Sequence, residues 1–237
     1  MKRKLALVLM LVLMLLMLVP FEALAQSVVD SNVAAINFQD NRGGRRVSFY
    51  DTASGRHCVF FLEGNYIYYS TSLDTVSWTT RTNTGLSVGV GYYASGFSIA
   101  YDGTNIHIAY CAGSSALYRM GTLASNGLSI TWAAVAQVIA TGGTGRFREA
   151  IAIDSDGYPW VTFAYHSGST ITPYAYRSST KNGNWTTDIA YQLNVGSANW
   201  VVRPISLASR HMLILYNGDS TSKARRYIGP GSSWVLR

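Results

Sequence analysis

Chemistry in this sequence would turn on three arginines, Arg46, Arg148 and Arg203, and on Glu149 beside the second of them. The planar guanidinium fork grips a carboxylate, sulfate or phosphate through two parallel hydrogen bonds, or stacks on an aromatic ring. Several such forks at one point repel each other unless an anion sits among them, and Tyr92-Tyr93 could supply a ring beside it. The plainer alternative is that each arginine reaches to solvent or pairs with an acid such as Glu149 or Asp40. Beyond residue 25 the glutamates are Glu63 and Glu149. Glycoside cleavage usually takes two positioned groups, an acid and a nucleophile or base. Glu149 is the one catalytic candidate, and Arg148 next to it should keep it ionised, which suits an acid poorly. His57, His107, His166 and His211 are scattered, and no Cys/His spacing resembles a zinc site. Neither a metal nor a cofactor is expected.

The elements that must position these residues are repeats. FSIAYDGTNIHIAY (97–110) and EAIAIDSDGYPWVTFAY (149–165) share an apolar strand ending in Asp, a Gly-containing turn, a second apolar strand and a closing Tyr. VSFYDTASGRHCVFF (47–61) is a third copy and RPISLASRHMLILY (203–216) a worn fourth. Asp51, Asp102 and Asp154 follow one another at 51 and 52 residues. A third strand comes after each hairpin: NYIYYSTS, ALYRMG, PYAYRSS and ARRYIG. Trp78, Trp132, Trp185 and Trp234, at intervals of 54, 53 and 49, are then read as opening a fourth. A helical reading of 133–140 is possible, but its place after Trp132 makes it strand.

Four strands per repeat of roughly 50 residues make an all-β fold, a β-propeller of four-stranded antiparallel blades. Such a sheet cannot bury both faces alone, so neighbouring blades must cover them, and strands such as 212–216 run almost continuously apolar. The blades are expected at about 47–96, 97–148, 149–202 and 203–237. Either the ring closes at four blades or the chain is an open arc of a larger propeller, free to self-associate. Residues 26–46 include NVAAINF (32–38), a possible ring-closing strand. Counting back from the aspartates, first strands start at Arg46, Phe97, Arg148-Glu149 and Arg203, so three of the four offer arginine to the channel mouth.

Lys2, Arg3 and Lys4, the apolar stretch 5–19 and Ala23-Leu24-Ala25 have the layout of a cleavable signal peptide over residues 1–25. Fifteen apolar residues fall short of the roughly 20 a membrane span needs. A secreted protein with no membrane attachment after cleavage is therefore expected. The chain carries 19 Lys+Arg against 12 Asp+Glu, a net charge of +7. The basic residues do not form the dense run typical of nucleic-acid binders, so that class is set aside. Export permits a disulfide between Cys58 and Cys111, each on the second strand of its repeat; two buried thiols are the alternative.

SLDTVSW (72–78) resembles the Asp-box of sialidase-type propellers: Ser72, Asp74, Ser77 and Trp78 match, while Val76 replaces the glycine. STKNGNW (179–185) keeps Ser179, Gly183 and Trp185 but has Lys181 for the aspartate. The resemblance implies architecture more than chemistry, since the Asp-box is a turn staple; Asp74, with the repeat aspartates and the four tryptophans, is read as structural. Sialidases hold a sugar carboxylate with converging arginines, and the sialidase Arg-Ile-Pro motif is only echoed at 202–205. Two other classes compete with a sialidase-like glycosidase. One is a non-catalytic module that binds extracellular glycan or another anionic ligand through aromatic platforms, and the other is a structural or adhesion repeat. The chain's 16 tyrosines and 6 tryptophans favour the binding module.

Overall fold

The structure is a computed structural model, which describes residues 47–88, 96–141, 145–167, 170–185, 190–193, 202–218, 221–228 and 235–236. Its strands form four antiparallel sheets, each built from consecutive segments of chain. Sheet one contains β1 (Ser48–Asp51), β2 (Arg56–Glu63), β3 (Tyr66–Ser72) and β4 (Thr82–Ser87). β5 (Phe97–Tyr101), β6 (Asn105–Ala112) and β7 (Ser115–Leu123) begin sheet two, where both β8 (Ile130–Trp132) and β9 (Gln137–Ala140) pair with β7. Sheet three is β10 (Gly145–Ile153), β11 (Pro159–Ser167), β12 (Thr170–Arg177) and β13 (Ala190–Gln192). Sheet four is β14 (Val202–Ser206), β15 (His211–Gly218), β16 (Thr221–Ile228) and β17 (Val235–Leu236).

The first strands neighbour one another in sequence order, β1 beside β5, β5 beside β10 and β10 beside β14. Apolar clusters fill the spaces between sheets. Phe60, Ile67 and Tyr69 meet Ile99, Ile106 and Ile108 between sheets one and two. Ala109 and Tyr118 meet Ile151, Val161 and Phe163 between sheets two and three. Ala152 and Trp160 meet Met212, Ile214 and Tyr227 between sheets three and four. A sheet covered on both faces has no solvent side, which is why β6 is buried from Ile106 to Cys111 without alternation. Among the described residues no apolar cluster joins sheet four back to sheet one, so the sheets form an arc of propeller blades.

The repeat aspartates sit in the hairpin turns as hydrogen-bond acceptors. Asp51 takes the amides of Ala53 and Ser54 at 3.1 and 3.0 Å, and the Tyr101 hydroxyl of the next sheet at 2.8 Å. Burial alone would raise its pKa, but the donors from Ser54, Tyr101 and Ala53 prevail and lower it. Asp102 accepts from the amides of Thr104 and Asn105. Asp154 accepts from the amides of Asp156 and Tyr158, the Trp160 indole and Arg177 Nε. The fourth turn lacks the aspartate and bends differently: Ser209 and Arg210 adopt φ of 60° and 66°. Two left-handed residues suit a tight hairpin, at a cost that side chains other than Gly, Asn or Asp rarely bear. Sheet three props this turn, with Ser155 Oγ accepting from the Arg210 amide at 2.7 Å and Asp156 pairing with Arg210 Nε at 2.6 Å.

Trp78 and Trp132 do not open the fourth strands. Trp78 makes an isolated bridge to Ser72, and β4 begins later, at Thr82. Trp132 ends β8, and β9 starts only at Gln137 because Arg119 takes the Ala133 and Ala134 carbonyls at 2.7 and 3.2 Å, interrupting the ladder. Residues 137–140 are strand, as their place in the repeat predicts. In the turn 72–78, Ser72 Oγ caps the amides of Asp74 and Thr75, and Asp74 Oδ1 those of Val76 and Ser77. These donors, the Ser77 amide foremost, hold the Asp74 carboxyl far below its ordinary range. The left-handed residue is Thr75 (φ 63°), not Val76, which stands where the pattern has glycine. Cys58 and Cys111 are free thiols, both buried, so the disulfide alternative is set aside. Burial, then the Asp51 carboxylate, pushes the Cys58 thiol up to about 12. Residues 1–46, Tyr92, Tyr93 and Trp234 lie outside the described residues.

Candidate functional site

Along β11, Val161, Phe163 and Tyr165 alternate onto the face turned toward sheet two. The β12 partners Tyr176 and Tyr174 stand opposite Val161 and Phe163 and share that face. Phe163 stacks on Tyr176 at 5.2 Å (16°) and on Tyr174 at 6.1 Å (28°), while Tyr165 meets Tyr174 edge-on at 6.2 Å. Phe163 is fully buried and forms the floor; the three tyrosines are half-buried. Ala140 and Thr141, where β9 ends, make the other wall of a cleft of about 230 Å³ between sheets two and three. That is room for one or two sugar rings, below the usual range for drug-sized ligands. The floor is aromatic and the rim carries phenol hydroxyls, the combination that stacks on a sugar's C–H face while bonding its hydroxyls.

The start of β10 pairs across to the same end of β11, Gly145 with His166 and Arg146 with Tyr165. Between Phe147, paired with Ala164, and Ala150, paired with Thr162, the register slips, so Arg148 and Glu149 together face one residue, Phe163. A bulge therefore lies directly opposite the cleft floor, and bulges of this kind re-aim side chains beside functional sites. Glu149 is fully buried, and the Cys111 thiol of sheet two donates to its Oε1 at 2.6 Å. Of the arginines expected at the channel mouth, Arg203 lies half-buried in β14, paired in register with Leu215. Arg148 occupies the bulge and its side chain is outside the description, as are Arg46, Tyr92 and Tyr93 altogether. Among the described residues no three His, Cys, Asp or Glu groups gather as metal ligands.

Sequence reasoning missed the cleft as a unit. Tyr174 and Tyr176 lie in the third-strand segment PYAYRSS, and Phe163 and the closing Tyr165 in the hairpin before it, with nothing to mark them as one surface. The available signal was aromatic alternation on two adjacent strands. What no local pattern shows is that β9 of the preceding sheet ends against them.

A buried polar chain adjoins the same cluster. His107 Nε2 lies 3.1 Å from Asp102 Oδ2, and its Nδ1 lies 2.7 Å from the Tyr118 hydroxyl. A carboxylate can only accept, so Nε2 carries the proton and Nδ1 accepts from Tyr118. Burial lowers the His107 pKa, against the opposing pull of Asp102. The Asp102 carboxyl also ends below its ordinary value: burial raises it, but the Asn105 amide, His107 and the Thr104 amide outweigh that. A histidine depressed below its unfolded value of 6.5 adds stability that is complete above that pH and lost as pH falls beneath it. Depressed Asp102 contributes above 3.8 and loses that contribution further into acid. The urea midpoint should therefore decline from pH 7 to pH 5, and His107→Gln should flatten that decline. A wild-type midpoint unchanged over that range would rule out the coupling.

No family model and no curated protein matches the sequence. Solved structures do. An endo-arabinase from Bacteroides thetaiotaomicron superposes at a TM-score of 0.50 with 15% identity, over 81% of this chain and 79% of that one. A polysaccharide lyase, an ulvan lyase bound to a GlcA(1-4)Rha3S unit, superposes at 0.53 with 11% identity, over 80% of this chain. The match spans only about half, 54%, of the lyase. Both neighbours are β-propeller enzymes, and at these identities the likeness is one of fold.

Proposed function

We propose that this chain is a secreted, non-catalytic propeller module that binds extracellular glycan in the cleft of Phe163, Tyr165, Tyr174 and Tyr176. The aromatic floor with its hydroxyl rim carries the reading. Two solved propellers of similar fold have glycan-acting names, which gives it secondary support. Binding is favoured over hydrolysis because Glu149 is buried against the Cys111 thiol, where a glycosidic oxygen does not reach it. The Asp-box likeness at 72–78 adds no chemistry, since Asp74 is engaged with its own turn.

Affinity electrophoresis in gels containing arabinan, ulvan, xylan or polygalacturonate tests this directly. Retardation is expected in at least one, and Tyr174→Ala should weaken it about ten-fold or more, about 1.4 kcal/mol. Retardation in none of the gels, or an unaffected variant, sinks the cleft as a binding site. Release of reducing ends or unsaturated products would replace the binding module with an enzyme.

A further inference from the structure

We infer that sheet one carries a second sugar-binding subsite, on the face turned away from sheet two, centred on Tyr66, Tyr68 and the Glu63–Arg81 pair. The inference rests on the glycan-binding reading above. Phe60, Tyr69 and Ile67 belong to the cluster facing sheet two. Phe61 and its register partner Tyr68 are one residue out of phase with that set and so occupy the opposite face. Their rings stack at 6.2 Å and 15°, close to the 6.1 Å and 28° of Phe163 and Tyr174. The cross-strand pair that floors the cleft in sheet three thus recurs on second and third strands two sheets earlier.

The surroundings are built to hold it. Opposite Tyr66 and Tyr68, the β4 register jumps from Ser87 to Asn83, making a bulge. Thr84 Oγ1 donates to the Ile67 carbonyl at 2.6 Å, Asn83 Oδ1 accepts from the Gly85 amide at 2.8 Å, and Gly85 takes φ of 72°. Asn83 Nδ2 lies 3.3 Å from the Tyr68 hydroxyl, anchoring the ring. Arg81 Cζ stands 5.5 Å from the Tyr68 ring centroid, and its Nη1 lies 3.0 Å from Glu63 Oε2. Glu63 is the register partner of Tyr66, whose surface is 46% exposed. One face therefore offers a clamped ring, an open ring, and a carboxylate beside a guanidinium.

That chemistry selects the occupant. Covering the partly exposed ion pair with an apolar protein surface would strip its water without replacement. A sugar replaces the water instead. Its vicinal hydroxyls donate to Glu63 and accept from Arg81 while its C–H face lies on the tyrosines. The ligand class is a neutral glycan with vicinal hydroxyls. Two subsites on one arc let a polysaccharide engage both, so affinity for polymer exceeds that for oligomer by an effective-concentration factor.

Calorimetry with neutral hexasaccharides (arabino-, xylo-, manno- and cellohexaose) decides the matter, with folding of each variant checked by its melting curve. Two equivalents per chain are expected for the best ligand. Tyr66→Ala, Arg81→Ala and Tyr174→Ala should each leave one, and Tyr66→Ala with Tyr174→Ala none. One equivalent that survives Tyr66→Ala and vanishes with Tyr174→Ala overturns the second subsite and leaves the cleft standing. One that survives Tyr174→Ala and vanishes with Tyr66→Ala supports this subsite and removes the cleft. Binding of no hexasaccharide overturns this subsite, and the gels containing ulvan and polygalacturonate then decide the cleft.

Discussion

Trp160→Ala should destabilise the protein by about 3–5 kcal/mol, the usual cost of truncating a buried Trp. Trp160 has no exposed surface and fills the space between sheets three and four, meeting Tyr227 edge-on at 4.8 Å. Truncation leaves a cavity that two stiff sheets cannot close. It also removes the indole donor that Asp154 accepts at 3.1 Å, leaving Arg177 and the turn amides to hold that carboxylate. Against a typical total of about 5–15 kcal/mol the loss is large. Urea titration measures it, and Trp160→Phe should recover a substantial part by refilling the cavity without the donor. A Trp160→Ala midpoint within error of wild type would mean the sheets do not pack as described.

Gly183→Ala should cost about 2–5 kcal/mol, from two sources. Gly183 has φ of +89°, which an L side chain occupies at a cost of about 1–2 kcal/mol. A methyl there would also sit 2.0 Å from Tyr118 Cε1, and overpacking a core typically adds about 1–3 kcal/mol. The ring cannot swing aside cheaply. Tyr118 is fully buried, its hydroxyl is tied to His107, and Trp185 packs edge-on at 5.2 Å. Tyr118→Leu would remove the clash, so Gly183→Ala in that background should cost much less than in wild type. Equal cost in both backgrounds would show that the left-handed backbone carries the whole effect.

Both predictions concern contacts between sheets, and that is where the sequence became hard to read. The hairpins were legible because their signals are local: an aspartate closing one apolar run, a turn, then another run. The Asp51, Asp102 and Asp154 turns accordingly hold the amides just after them. The fourth turn was legible only as a worn copy, since what supports Ser209 and Arg210 comes from Ser155 and Asp156 in another sheet. The tryptophan interval marked the repeat but not the strand. Trp78 bonds its own turn through Nε1 to the Thr75 carbonyl at 3.2 Å, and Trp132 lies against Gly121. The cleft and the Asp102–His107–Tyr118 chain needed side chains from separate strands or sheets, and Glu149 met Cys111 only through a slipped register.

An arc has ends, and sheets one and four each have one neighbour among the described residues where sheets two and three have two. Local opening is cheapest where fewest apolar contacts must break, so fraying should begin at the two outer sheets and reach the middle last. Among the described residues, the tyrosines between sheets two and three therefore stand on the slowest-exchanging part. A ligand settling there has little backbone left to freeze, and more of its contact energy appears as affinity.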